Sequence, residues 1–139
     1  MSQISGRCLC GAIKYICAAP AVMTALCHCT NCQKQSGSAF SINVGIPKGA
    51  LQITLGKTTI YEDRGESGMP VYRHFCSNCG SPLFSEVAAL PQLVFLKAGT
   101  LDDTSWVMPA VEVWCDSAQR WAPHPEGVPR FPKSPPSRI

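Results

Sequence analysis

The apolar positions of this chain fall in short runs separated by clusters of glycine, proline, aspartate and serine. "AIKYIC" (12–17) alternates in part, and "AFSINVGI" (39–46) and "LQITL" (51–55) are rich in β-branched residues. "TTIYE" (58–62), "VYRHF" (71–75), "LVFLKA" (93–98) and "VEVWC" (111–115) read the same way. Strands this short and closely spaced predict a mainly β domain. One helix is signalled. Thr30 followed by Gln33 fits a capping box and Gly37 fits a C-terminal stop, which predicts Thr30 as N-cap and Cys32 in the first turn. Unpaired amides there would favour Cys32 as a thiolate. The end of the chain, "HPEGVPRFPKSPPSRI" (124–139), holds Pro125, Pro129, Pro132, Pro135 and Pro136 and suits neither helix nor central strand. It predicts an extended arm that packs through Trp121 and Phe131 and frays at its end.

A length of 139 residues suffices for one domain with its own core, here expected as a single zinc-binding catalytic domain over 1–125 followed by a Pro-rich arm over 126–139. The chain is 45% apolar and 15% charged, a globular composition. It has no apolar run long enough to span a membrane, and "MSQISGRCLCG" shows no charged-then-apolar leader, so a cytoplasmic, reducing location without a membrane partner is expected. That location changes how the nine cysteines are read, since such density then points to metal rather than disulfides. Metal in turn changes the charge. The formal +3 falls to zero if seven cysteines bind two zinc ions as thiolates, which removes the net-charge argument for a nucleic-acid partner.

The cysteines form two kinds of cluster. Cys8-Leu9-Cys10-Gly11 and Cys76-Ser77-Asn78-Cys79-Gly80 share a plan of two close thiols followed by glycine. In an extended segment Cys8 and Cys10 would face the same side, and a tight turn would do the same for Cys76 and Cys79. Glycine after each pair allows a positive φ that brings amides toward the sulfurs. Together the pairs make a closed four-thiolate site whose metal would staple distant parts of the chain. The trio Cys27, Cys29 and Cys32 lacks the glycine and runs into the predicted helix. Spacing leaves open whether Cys17, Cys115, His28 or His74 supplies a fourth ligand. Cys17 and Cys115 read first as buried strand-end thiols, His74 as a structural sheet residue and His28 as a group that orients a neighbouring ligand. If none binds, the trio is an open zinc site of the catalytic kind. Three thiolates leave such a zinc electron-rich, suited to holding a substrate sulfur rather than activating water.

"GRCLCGAIKY", "CHCTNCQKQSGSAF", "HFCSNCGSPLF" and "AGTLDD", in order from about Gly6 to Trp121, resemble the family of glutathione-dependent formaldehyde-activating enzymes, which includes the centromere protein V group. The resemblance implies a zinc-containing small β-sheet domain, β-tent-like, of the kind shared with a zinc-bearing partner of Rab GTPases. It implies a structural zinc on Cys8, Cys10, Cys76 and Cys79, and a catalytic zinc on Cys27, Cys29 and Cys32 that meets the sulfur of glutathione. The implied activity is a carbon–sulfur lyase that forms or cleaves S-hydroxymethylglutathione, with glutathione or its adduct as small-molecule partner. Glu126 stands where an aspartate is common in relatives. Glutathione's carboxylates would need cations, for which Lys34, Lys48, Arg64 and Arg73 are available, each read first as a solvated surface charge. The readings from other classes are a non-catalytic zinc-stapled protein-binding module and a metal-buffering or redox-sensing protein.

Overall fold

In the computed structural model, which describes residues 3–134, ten strands and one α-helix build two sheets. The strands are β1 (Ile4–Arg7), β2 (Lys14–Cys17), β3 (Met23–Cys27), β4 (Ser41–Pro47), β5 (Leu51–Leu55), β6 (Thr59–Arg64), β7 (Pro70–Phe75), β8 (Pro82–Val87), β9 (Leu93–Lys97) and β10 (Val111–Val113). The helix α1 (Thr30–Ser36) follows β3. The smaller sheet has the order β1-β2-β5 and the larger β10-β3-β4-β9-β8-β7-β6. All pairs are antiparallel except β10 with β3. No helix is long and apolar enough to cross a membrane among the described residues.

Period-two alternation decides what each face of the larger sheet carries. The pairing sets Val44 opposite Leu96 and Asn43 opposite Lys97, so β4 and β9 keep like residues on like faces. One face presents Val44, Ile46, Phe84, Val94 and Leu96, all buried, to Ile4, Ile13, Tyr15 and Cys17 of the smaller sheet and its turn. Each such side chain contributes about 1.5–3 kcal/mol on full burial. Tyr15 closes this core, its hydroxyl 2.7 Å from Thr100 Oγ1. Burial pushes its pKa up to about 12. Gly6 is required beside it, because a Cβ there would overlap the Tyr15 hydroxyl. The opposite face presents Ala25, Cys27, Asn43, Arg73, Phe95 and Lys97 to a cavity.

The mainly β architecture is as expected, with differences in detail. Three strands carry no recognisable signal: β1 contains Gly6, β8 opens with Pro82, and β3 (MTALC) is buried on both faces and so does not alternate. The segment "VEVWC" stops as a strand at Val113. Trp114 takes a left-handed φ of 58°, and Cys115 opens a 3₁₀ turn, Cys115–Ser117, instead of ending a strand. Trp121 is 73% exposed and anchors nothing. The arm docks through its backbone instead: the amides of Glu112, Trp114 and Cys115 donate to the carbonyls of Pro129, Lys133 and Phe131, and Phe131 N–H donates back to Glu112. The expected frayed end, with Pro135 and Pro136, lies outside the described residues.

Candidate metal centres and the cavity beside them

The four-thiol cluster sits where two turns meet. Cys8-Leu9-Cys10 is itself a turn, not an extended segment, because Gly11 N–H folds back to the Cys8 carbonyl at 3.1 Å. Gly80 N–H does the same to Cys76 at 2.8 Å, and both glycines have φ of 80°. Ser81 links the turns, accepting from Leu9 N–H at 3.0 Å and lying 3.3 Å from Cys79 Sγ. The sulfurs of Cys8, Cys10, Cys76 and Cys79 lie within 4.8 Å of one another. Cys10 Sγ is 3.7 Å from Cys8 Sγ and 3.8 Å from Cys76 Sγ. A tetrahedral zinc with Zn–S bonds of about 2.3 Å sets its sulfurs about 3.8 Å apart, so the donor set fits that ion. Donors already face the sulfurs. The Ser81 hydroxyl, then the amides of Cys10 and Ser81, lower Cys79 to about 5, and the Asn78 amide group lowers Cys10.

The three-thiol cluster forms where β3 hands over to α1. Cys27 is the last residue of β3, Cys29 is the helix N-cap and Cys32 lies in the first turn. The N-cap is therefore Cys29 and not Thr30: Cys29 Sγ accepts the Cys32 amide at 3.2 Å, and Gly37 closes the helix at φ 68°. Gln33 is not the reciprocal half of a capping box, since its side chain donates to the carbonyls of His28 and Ser117. The three sulfurs lie within 4.8 Å of one another, and no fourth ligand joins them among the described residues. Cys17 is buried in the core, where its thiol donates to the Ala19 carbonyl. His74 is held between Thr58 and Glu86 and stacks on Phe84.

Protons are shared unequally in this trio. The Cys32 sulfur is held far below the ordinary thiol range by hydrogen bonds from Cys27 and then Cys29, with further help from the charge of Lys97 and the Ser41 hydroxyl, against the cost of burial. Cys27, which donates to Cys29 and Cys32 and is itself buried, is pushed far up. The amide of Cys32, third residue of α1, goes to Cys29 Sγ, so the hydrogen bond that the helix start gives to the trio falls on Cys29.

The trio opens on a cavity of about 1030 Å³ whose walls include Asn43, Arg64, Arg73, Phe95, Lys97 and Trp114. Arg73 is not a solvated surface charge: it is 5% exposed, and its Nε donates to Asp63 Oδ2 at 2.9 Å. Burial works against its charge, but the Cys32 thiolate and Asp63 outweigh it and raise its pKa. Asp63 also accepts from the Asn31 side chain, fastening the β6–β7 hairpin to α1. Lys97 is 7% exposed and donates to Asn43 Oδ1 at 2.8 Å. Of the four cations considered from sequence, Arg64 and Arg73 reach this cavity, while Lys34 is exposed on the helix and Lys48 pairs with Glu86 at 2.9 Å beside a separate cavity. Lys97 is a further cation of this cavity that residue type alone does not single out, although alternation in "LVFLKA" already sets it opposite Val94 and Leu96.

Behind the trio, His28 Nε2 donates to Glu112 Oε1 at 2.8 Å, and Glu112 is 0% exposed. Arg130 Nε and His124 Nδ1 approach the other carboxylate oxygen at 3.4 and 3.5 Å. His28, Glu112 and Cys115 also form a group of ligand type, but the Arg130 guanidinium already supplies the cation that this carboxylate needs.

Two packed sheets with one closed and one open thiol cluster define a β-sheet protein able to hold two metal ions. The chain belongs to the glutathione-dependent formaldehyde-activating enzyme family, whose model matches residues 3–117. Curated relatives, each named "Putative glutathione-dependent formaldehyde-activating enzyme", occur in Halomonas elongata (30% identical over 103 residues), Talaromyces marneffei (29% over 107) and Penicillium rubens (27% over 103). The matches cover 71%, 73% and 72% of this chain but only 66%, 55% and 53% of those relatives, so the chain spans between half and two thirds of their length. A solved structure of a Rhodobacter sphaeroides protein shares the fold at a TM-score of 0.58 and 18% identity, over 91% of this chain and 98% of that one.

Proposed function

We propose that the protein is a zinc-dependent carbon–sulfur lyase acting on the thiol adduct of a small aldehyde, with S-hydroxymethylglutathione as the adduct its family suggests. The observation that carries this reading is the three-thiol cluster, open toward a cavity that also presents two buried cations. We assign two zinc ions per chain, one structural on Cys8, Cys10, Cys76 and Cys79 and one catalytic on Cys27, Cys29 and Cys32, within a domain over 1–125 followed by the 126–139 arm. When bound, the catalytic zinc would hold a substrate sulfur as thiolate in its fourth position. The chain's own residues then do the rest. Arg73, fixed by Asp63, balances the Cys32 thiolate, and Arg64 at the cavity wall is available to a carboxylate of the thiol. The side chains of Val71, Phe95 and Val113 give the cavity apolar wall that limits water. A cytoplasmic site of action, where glutathione is abundant and thiols stay reduced, suits both clusters. A zinc-stapled binding module would need only the closed cluster and leaves the buried cations beside the open one without a purpose.

The test is native mass spectrometry of the purified protein with glutathione. Two zinc ions plus a bound glutathione, with the glutathione and one zinc lost in Cys32→Ser, are expected. One zinc and no bound thiol in the unmodified protein would overturn the assignment.

A further inference from the structure

Resting on the lyase reading above, the geometry points to Lys97 as the catalytic residue that holds the aldehyde-derived oxygen, with Asn43 as the residue that positions it. Lys97 lies on the face of β9 that lines the cavity, is 7% exposed, and pairs across the sheet with Asn43. A buried ammonium is costly unless something answers its charge. Arg73 has Asp63 for that purpose, whereas among the described residues Lys97 has no carboxylate partner, only the amide oxygen of Asn43 at 2.8 Å and, without direct pairing, the charge of the Cys32 thiolate. One of its three N–H donors is thereby used, leaving two for the cavity.

Its position is fixed relative to the trio by a chain of hydrogen bonds. The Asn43 amide nitrogen donates to Ser41 Oγ at 3.0 Å, Ser41 pairs across the sheet with Cys27, and its hydroxyl faces the Cys32 sulfur. A cation held in this way costs no reorganisation when charge develops beside it. Charge does develop in the reaction. When a thiolate sulfur attacks formaldehyde, the S–C bond forms from the sulfur pair and the C=O π pair moves onto oxygen. Water then gives that oxygen the proton that makes the hydroxyl, and the hydroxide left behind is neutralised by the proton the thiol released on forming the thiolate; cleavage runs the same transfers in reverse. Lys97 donates hydrogen bonds to that oxygen while it is anionic. The cations thus divide by depth, with buried Lys97 at the reacting oxygen and exposed Arg64 left to the thiol's own carboxylates.

The experiment compares wild type, Lys97→Met, Lys97→Arg and Asn43→Ala for zinc content, glutathione affinity by calorimetry, and kcat and KM for formation of the hydroxymethyl adduct. Lys97→Met is expected to keep both zinc ions and bind glutathione within about 3-fold of wild type, while kcat falls roughly 100-fold or more. Lys97→Arg should recover part of kcat, and Asn43→Ala should lower kcat less than Lys97→Met does. Weakened glutathione binding with kcat intact in Lys97→Met would overturn the inference by making Lys97 a carboxylate anchor. Loss of the second zinc in that variant would also overturn it, by making Lys97 a mere counter-charge to the thiolates. A wild-type protein that binds no glutathione overturns the lyase reading itself, so the two failures are told apart by the unmodified control.

Discussion

The two thiol clusters use the same side chain for opposite ends. The four-thiol cluster is built on turns, each closed by a left-handed glycine, and two of its members, Cys8 and Cys76, belong to the hydrophobic core. Its donors come from backbone and from Ser81 and Asn78, all within the turns themselves. The three-thiol cluster is built on a strand end and a helix start, and its surroundings come from the opposite sheet face, where Lys97, Arg73 and Asn43 stand. One cluster is answered by its own loop and the other by the rest of the protein. On the assignment proposed above, the closed cluster would contribute to stability and the open one would draw on stability supplied elsewhere.

The largest test of that contrast is to remove one ligand from each cluster. Structural zinc is worth about 10–16 kcal/mol in small zinc domains, comparable to the whole stability of a typical domain of about 5–15 kcal/mol. Cys76→Ser should therefore leave the chain unfolded or melting far below wild type in thermal denaturation followed by circular dichroism. Cys32→Ser should cost only about 1 kcal/mol, a few degrees in Tm. Equal losses would abolish the distinction.

A finer cut uses two glycines with similar backbone. Gly80 (φ 80°) closes a cysteine turn and Gly37 (φ 68°) closes α1, and neither has atoms in the way of a Cβ. Alanine at either should cost about 1–2 kcal/mol through left-handed strain alone. Only Gly80→Ala should also speed zinc loss from the four-thiol cluster to a chelator, because only there does the turn carry ligands. The same rate in both variants would separate the turn from the metal.

The smallest effect at neutral pH concerns the core on which the closed cluster rests. Tyr15 is raised to about 12 by burial, so the folded protein favours its neutral form. Its contribution is complete below about pH 10 and is lost as pH rises from about 10 to 12, by roughly 2–3 kcal/mol. Tyr15→Phe should flatten that alkaline limb of the stability curve, and an unchanged limb would place the titration elsewhere.

Much of this contrast is legible in the chain because its elements are local. Cys27, Cys29 and Cys32 are neighbours in sequence, the cysteine–glycine turns announce their own backbone, and "LQITL" is a strand by composition. What is not legible depends on register. That Lys97 meets Asn43 follows from a pairing between distant strands, and that Asp63 reaches Asn31 from the packing of the β6–β7 hairpin on α1, neither of which alternation within one segment specifies. β3 is opaque for a related reason: buried on both faces, it has the even apolar texture of a helix. Trp121 misled because an aromatic residue in a proline-rich arm looks like an anchor, whereas the arm is held by main-chain bonds and by Glu112.

The buried Glu112 carboxylate has a consequence for the order in which the molecule can be completed. A chain emerging from its N-terminus has every ligand of the closed cluster once Cys79 exists. The bed behind the open cluster waits much longer, since His28 pairs with Glu112, and the other Glu112 oxygen faces His124 and, from the arm, Arg130. Maturation is thus sequential by construction: the four-thiol cluster has all its sulfurs by Cys79, whereas the bed behind the three-thiol cluster is complete only with Arg130.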